Sequence, residues 1–168
     1  MKVRLAAVDA NVVVFLVQPR PDDEPRYKRW SQVHATVRKL LEQGAELVIP
    51  TPSLAEMYAG GEDGERVAVE LEKLGTVLSF EDFDDEAARI AGRLTRTWLV
   101  TRKQLQPTSS RQLVKFDAMI VATAVAAGAD CIVTTDTDIE KWVNTLDEAD
   151  RIEVIDAAAP QGKLALIQ

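Results

Sequence analysis

Apolar and polar positions along the chain follow two alternating patterns, one typical of strands and one of helices. Short, β-prone apolar runs predict five strands, at Lys2 to Val8, Glu46 to Ile49, Thr76 to Phe80, Cys131 to Thr134 and Arg151 to Ile155. Segments with apolar residues three and four positions apart predict helices at Asn11 to Val17, Arg26 to Gln43, Leu54 to Ala59, Glu65 to Leu74, Asp82 or Asp84 to about Thr101, and Ile139 to Leu146. This alternation predicts one α/β domain over residues 1–168, with a parallel sheet and helices on both faces.

The stretch from Lys115 to Asp138 gives the clearest pattern. The run Ala118 to Ala127 carries no charge on any side, so as a helix it must be buried nearly all round. Gly128 ends it, and a buried strand follows that closes on Asp136 and Asp138. Asp117 stands at the head of the charge-free run, so this stretch brings acidic residues to both of its ends.

Composition narrows the chemistry that the chain can carry. An apolar fraction of 46% and a charged fraction of 28% are those of an ordinary globular protein. The single cysteine, Cys131, excludes a disulfide framework and is predicted to be a small buried hydrophobe. The single histidine, His34, argues against zinc sites and against catalysis by a Ser-His-Asp or Cys-His arrangement. Catalysis would have to use carboxylates.

The N-terminus has basic residues followed by apolar ones, but Asp9 and Asn11 interrupt the apolar run. No signal-peptide cleavage pattern follows, and no run approaches the roughly 18 apolar residues of a membrane span. The sequence therefore predicts a cytoplasmic protein without a membrane segment.

The net charge of -7 is unevenly distributed. The segment from Ala87 to Phe116 has no acidic residue and carries seven basic ones: Arg89, Arg93, Arg96, Arg102, Lys103, Arg111 and Lys115. The first three share one helix face, which can bind phosphates. A solvated helix face, or docking of an acidic partner, explains the same pattern.

Four acidic residues stand isolated in apolar surroundings. Asp9 and Asp136 follow buried strands and should project from the same edge of a parallel sheet, while Asp117 and Glu56 begin helical segments. Each could simply cap a helix or stabilise a turn. Together, however, like charges at one edge repel each other, and a bound divalent ion is the usual remedy. Ligands that are all oxygen favour Mg²⁺ or Mn²⁺ over zinc.

Four motifs, in the order in which they follow one another along the chain, resemble those of the PIN-domain nucleases. The resemblance is strongest to the VapC-type toxins of toxin-antitoxin pairs. They are Asp9-Ala10-Asn11, Pro52-x-x-x-Glu56, Lys115-Phe116-Asp117-Ala118-x-Ile120-x-Ala122-Thr123-Ala124, and Thr134-x-Asp136-x-Asp138. The resemblance covers nearly the whole chain. It implies a single Rossmann-like α/β/α sandwich with a mostly parallel sheet of about five strands, usually ordered 3-2-1-4-5.

The resemblance also implies roles for individual residues. Asp9, Glu56, Asp117 and Asp136 fall on the family's catalytic acids, and Asn11, Thr134 and Asp138 on supporting polar positions. Asp9, Asp117 and Asp136 would hold one or two Mg²⁺ or Mn²⁺ ions, and Glu56 would be a ligand or orient the attacking water. The implied reaction is cleavage of single-stranded or looped RNA, with the basic residues of the 87–116 segment binding its backbone. A cognate antitoxin and a homodimer are implied partners.

Three other functions fit parts of the sequence. A non-catalytic PIN-like module would keep the acidic pocket to bind RNA or protein. A phosphatase of the haloacid-dehalogenase type needs Asp-x-Asp after the first strand, where this chain has Asn11. A response-regulator receiver needs an Asp after the third strand, and LGTVLSFEDFD is only a faint match.

Overall fold

The computed structural model describes residues 2–59, 62–73, 78–102 and 113–159. The strands are β1 (Leu5–Val8), β2 (Glu46–Pro50), β3 (Leu78–Glu81), β4 (Cys131–Thr134) and β5 (Glu153–Asp156). The helices are α1 (Ala10–Val17), α2 (Glu24–Glu42), α3 (Thr51–Tyr58), α4 (Glu62–Lys73), α5 (Asp85–Arg102), α6 (Leu113–Ala126) and α7 (Thr137–Val143), and a short 3-10 helix covers Glu148–Asp150.

All strand pairs are parallel, and the order in the sheet is β3-β2-β1-β4-β5. The first strand therefore lies at the centre, with β2 on one side and β4 on the other. The predicted α/β architecture and the implied strand order are both confirmed. Every connection between neighbouring parallel strands passes through helix, as parallel pairing requires.

The sheet separates two hydrophobic clusters, and the alternation of side chains along β1 shows why. Ala6 and Val8 belong to the cluster that includes α1, α2 and α4, whereas Ala7 between them belongs to the cluster that includes α5, α6 and α7. All three side chains have no exposed surface. Because both faces of the central strands are covered, LAAV and CIVT have no polar alternation.

For α3 and α6, a start earlier than the sequence predicts changes which residues can cap the helix. The helix α6 starts at Leu113, so Asp117 lies in its second turn and not at its N-terminus. From the second turn Asp117 cannot cap the helix. The helix α3 starts at Thr51, so neither Thr51 nor Ser53 is its cap. Instead, the Thr51 hydroxyl accepts a hydrogen bond of 3.0 Å from the Phe83 N–H, and the buried Ser53 hydroxyl has no hydrogen-bond partner among the described residues.

Gly128 ends α6 as predicted, with a φ of 69° that other residues rarely adopt. The turn leads directly into β4, where burial raises the pKa of the Cys131 thiol to about 12. Cys131 is therefore the inert buried residue that the sequence predicts. Within the described ranges, no helix has the length and apolarity to cross a membrane.

Candidate active site

Two acids of the predicted quartet leave neighbouring strands at the same edge of the sheet. Asp9 directly follows β1, and Asp136 follows β4 with Thr135 between them. The Asp9 N–H donates a hydrogen bond of 3.0 Å to the Val133 carbonyl. The two strands pair in register, with Val8 opposite Val133. The sheet itself therefore sets the relative positions of these two carboxylates.

Asp9 is held in a fixed orientation. Its Oδ1 accepts a hydrogen bond of 2.7 Å from the Ala10 N–H, and its Oδ2 accepts one of 2.7 Å from the Thr134 hydroxyl. Only 2% of the residue is exposed. Burial raises the pKa of Asp9, and the hydrogen bonds from Thr134, Ala10 and Asn11 oppose that rise. Asn11 and Thr134 thus both act on Asp9.

Thr134 links the two strand-end acids. While its hydroxyl donates to Asp9, the same oxygen accepts a hydrogen bond of 2.9 Å from the Asp136 N–H. Asp136 in turn caps α7, because its Oδ1 accepts a hydrogen bond of 2.8 Å from the Asp138 N–H. Asp9 and Asp136 therefore have the local roles, in caps and turns, that were the alternative explanation, and both also raise the pKa of Glu56 and of Asp117 by repulsion.

Glu56 and Asp117 come from two helices that pack together, α3 and α6. Burial raises the pKa of Glu56, with added repulsion from Asp9 and Asp136. Burial is also the largest cause of the rise in the pKa of Asp117 to about 7, followed by repulsion from Asp136, Glu56 and Asp9. These mutual effects show that the four carboxylates are near enough to repel one another, and we refer to them as the acidic cluster.

A hydrogen bond from the Trp142 side chain of α7 lowers the pKa of Asp117 and so opposes the effects of burial and repulsion. The Trp142 ring stacks on Trp98 of α5, with ring centroids 5.7 Å apart. The sequence gives no signal for this contact, since Trp142 reads simply as an apolar residue. The side chain of Asp138 is about half exposed and pairs with Lys141.

The donor set fits a hard divalent cation by its chemistry, because it contains only carboxylate and other oxygen ligands. The four carboxylates also repel one another, and a bound cation would relieve this repulsion. In the part of the chain that the structure describes, no three acidic, His or Cys side chains are close enough to bind one ion jointly. The residues thus have the right chemistry, and the arrangement shown is not a closed ligand cage.

The predicted basic surface on α5 is partly neutralised. Arg89 pairs with Asp85 and Glu86 of its own helix, and Arg93 pairs with Asp150 at 2.7 Å. Arg96 is exposed. The side chains of Arg102 and Lys115, and the whole of Lys103 and Arg111, lie outside the described residues.

A basic residue that the sequence did not single out lies beside the acids. Arg29 of α2 donates a hydrogen bond of 3.2 Å from Nη2 to the carbonyl of Thr135, which precedes Asp136. Asn11, Thr135, Asp136 and Arg29 line one open cleft. Asn11 also lines a second cleft, together with Glu56 and Arg66. Only the fold brings α2 to this edge, so the sequence alone carries no signal for it.

Removing the Thr134 hydroxyl should destabilise the protein. We expect Thr134→Val to cost about 1–3 kcal/mol, because it leaves Asp9 Oδ2 and the Asp136 N–H buried without this partner. Thr123→Val is the matched control, since the buried Thr123 hydroxyl only bonds the Met119 carbonyl of its own helix. Urea unfolding of both variants checks the difference, and equal losses would show that Thr134 does not organise the site.

A family model described as PIN domain matches residues 6–143. The chain belongs to the PIN domain family. PIN domains are a family of nucleases, so the resemblance read from the four motifs is confirmed at this level. The chain has no significant match among curated proteins.

Solved structures share the fold of this PIN domain at low sequence identity. VapBC-1 from nontypeable Haemophilus influenzae has a TM-score of 0.60 at 16% identity, covering 92% of this chain and 99% of that chain. VapBC2 from Rickettsia felis, bound to a DNA fragment from their promoter, has a TM-score of 0.58 at 18% identity, covering 89% and 96%. DNA-bound VapBC from Salmonella typhimurium has a TM-score of 0.55 at 20% identity, covering 92% and 98%. At these identities the likeness establishes the fold.

Proposed function

We propose that the protein is a metal-dependent endoribonuclease that hydrolyses RNA phosphodiester bonds. The observation that carries the proposal is the cluster of four carboxylates, in which burial and repulsion raise the pKa of Asp117 to about 7. Such repulsion lowers the stability of the fold, whereas a bound cation removes the repulsion. Membership of a nuclease family supports the same conclusion.

In this proposal Asp9, Asp117 and Asp136 hold Mg²⁺ or Mn²⁺, and Glu56 is a further ligand or orients the attacking water. When bound, the ion supplies Lewis-acid stabilisation of charge on the phosphate and lowers the pKa of water. Thr134 and the Ala10 N–H fix the direction of the Asp9 oxygens, and Trp142 favours the ionised form of Asp117 by a hydrogen bond. Water attacks in line with the leaving oxygen, so one P–O bond forms as the other breaks, without a covalent enzyme intermediate.

The same fold in VapBC structures supports a biological setting for this activity. We propose that the protein is the toxin of a toxin-antitoxin pair, that it acts on single-stranded or looped RNA in the cytoplasm, and that it binds a cognate antitoxin and a second copy of itself. We also propose that residues 1–168 form one PIN-like domain. Arg96, Arg102, Lys103, Arg111 and Lys115, with Arg89 and Arg93, remain proposed contacts to the RNA backbone.

A non-catalytic module that binds RNA or protein is the second candidate. Two observations favour it: no three acids of the described chain can bind one ion jointly, and both Asp9 oxygens already accept hydrogen bonds. Such a module would bind its partner equally well with and without Mn²⁺ and would cut nothing.

Metal-dependent cleavage separates the two candidates. A labelled RNA pool and a DNA pool of the same sequences are incubated with the purified protein in Mg²⁺, Mn²⁺ or EDTA. We expect RNA fragments only with metal, little cutting of DNA, and no cutting by Asp9→Asn. Cutting in EDTA, or by Asp9→Asn at the wild-type rate, would refute the proposed site.

A further inference from the structure

We propose that Arg29 binds a backbone phosphate of the RNA next to the acidic cluster, so that the strand approaches the site over the first half of α2. This inference rests on the proposed function, because it names the residue by which the same site holds its substrate. Arg29 is not part of the basic α5 surface that the sequence predicts to bind RNA.

Arg29 occupies the rim of the acidic cluster. Together with Asn11, Thr135 and Asp136 it lines an open cleft of ≈ 510 Å³, within the usual size range of ligand sites. A single Nη2 hydrogen bond ties Arg29 to the Thr135 carbonyl, and its guanidinium lies 5.5 Å from the centre of the Phe15 ring. A guanidinium has five N–H donors in a planar fork, so the other donors can bind a phosphate at two oxygens.

Charge favours this role. An RNA strand must come within reach of four carboxylates on a protein whose net charge is -7, so a cation is needed at the point of contact. Arg89, Arg93 and Lys141 are already paired with carboxylates. Among the described residues, no carboxylate lies within ion-pair distance of Arg29, although Asp136 shares its cleft.

The first half of α2 is fixed against α1, which positions the turn of helix that carries Arg29. Trp30 donates a hydrogen bond of 3.2 Å from Nε1 to the Gln18 carbonyl, and His34 Nε2 lies 3.0 Å from the Phe15 carbonyl. The Trp30 ring packs between His34, at a centroid distance of 3.9 Å, and Tyr27, at 6.2 Å. A phosphate contact made from a preorganised side chain costs less conformational entropy than one made from a mobile side chain.

RNA binding without cleavage tests the proposal directly. Fluorescence anisotropy of a labelled 12-nucleotide oligouridylate is measured in EDTA over a range of salt concentrations, in the Asp117→Asn background. We expect Arg29→Ala to weaken binding by about tenfold and to reduce the salt slope by about 0.7, the value for one phosphate on a single strand. Arg29→Lys should restore part of the affinity, because it keeps the charge and loses the planar fork.

Arg38→Ala is the matched control, since Arg38 is exposed on the same helix about 14 Å further along its axis. It should change binding by less than about twofold, as expected for a screened distant charge. If Arg29→Ala and Arg38→Ala have equal effects, general electrostatics explains the loss and the proposal is wrong. Unchanged unfolding midpoints in both variants would show that neither change acts through stability.

The failures of the two proposals are distinguishable. If the protein binds RNA through Arg29 but no condition gives cleavage, the nuclease proposal fails and the Arg29 inference stands. If the protein cuts RNA with metal while Arg29→Ala binds and cuts like wild type, only the Arg29 inference fails. If the Asp117→Asn parent does not bind the oligouridylate, the Arg29 inference fails whatever the cleavage result. If Arg29→Ala weakens binding of a polyglutamate peptide and leaves RNA binding unchanged, the cleft docks an acidic protein segment instead.

Discussion

Asp117→Asn should slow RNA cleavage by two to three orders of magnitude, about 10²–10³-fold, and above pH 7 should make the fold more stable. The Asp117 carboxylate is held among three others, and its pKa of about 7 shows that the folded protein disfavours its ionised form. An amide has the shape of the protonated acid and removes the repulsion, but it is a poor ligand for a divalent ion. Loss of several kcal/mol of charge stabilisation lowers the cleavage rate by about 10²–10³-fold.

The gain in stability has a definite pH dependence. In the unfolded chain the pKa of Asp117 has its ordinary value of 3.8, whereas in the folded protein it is about 7. The wild type therefore loses free energy of unfolding as the pH rises from about 4 to about 7, and Asp117→Asn does not. The shift sets a limit of about 4 kcal/mol, and the partial exposure of the side chain reduces the expected gain to about 1–2 kcal/mol at pH 8. At pH 4 the two proteins should be nearly equal.

Asp156→Asn provides the matched control for this pair of effects. Asp156 is an exposed acid at the end of β5, the strand next to β4, and its side chain accepts a hydrogen bond from the Ala158 N–H that asparagine can keep. We expect it to leave both cleavage and stability nearly unchanged. Urea unfolding at pH 4, 6 and 8 measures all three proteins. An Asp117→Asn variant that is less stable than wild type at pH 8 would show that the charge is compensated within the fold.

Divalent metal should raise the free energy of unfolding of the wild type, and more so at pH 8 than at pH 6. A ligand that binds only the folded state at 100 times its dissociation constant stabilises by about 2.7 kcal/mol. The pH dependence follows because a proton on Asp117, present for much of the population at pH 6, competes with the metal for the same oxygens. Thermal unfolding in Mn²⁺ and in EDTA at the two pH values measures the effect.

The control for metal binding uses the same variants. Asp117→Asn should lose most of the stabilisation by Mn²⁺, and Asp156→Asn should keep it. Equal stabilisation of all three proteins would place the bound metal elsewhere on the chain. No stabilisation of any of them would favour the non-catalytic module.

The sequence predicts those parts of the site that depend on strand ends. Asp9 and Asp136 follow short apolar runs that can only be buried central strands, and the carboxyl ends of parallel strands meet at one edge. Their convergence follows from local pattern and one topological rule. The pattern predicts the position of Glu56 within its helix less well, because the helix begins three residues before its predicted start at Leu54.

The remaining features depend on contacts between residues far apart in the chain. Asp117 lies in the second turn of α6 because Leu113 and Val114 extend the helix backwards, and the charge-free run gives no sign of this. Arg93 reads as part of a free basic face, yet it pairs with Asp150, which comes beside it only in the folded chain. Arg29 reaches Thr135 across 106 positions of sequence, so no local pattern could predict it.

The most direct test is the single-turnover rate of RNA cleavage in Mn²⁺ at pH 8, compared between wild type and Asp117→Asn on samples whose unfolding free energies have been measured. We expect the wild type to cut and to stop in EDTA, and the more stable variant to cut about 10²–10³-fold more slowly. Cleavage by Asp117→Asn at the wild-type rate, or cleavage that continues in EDTA, would contradict the assignment of the four carboxylates as the active site.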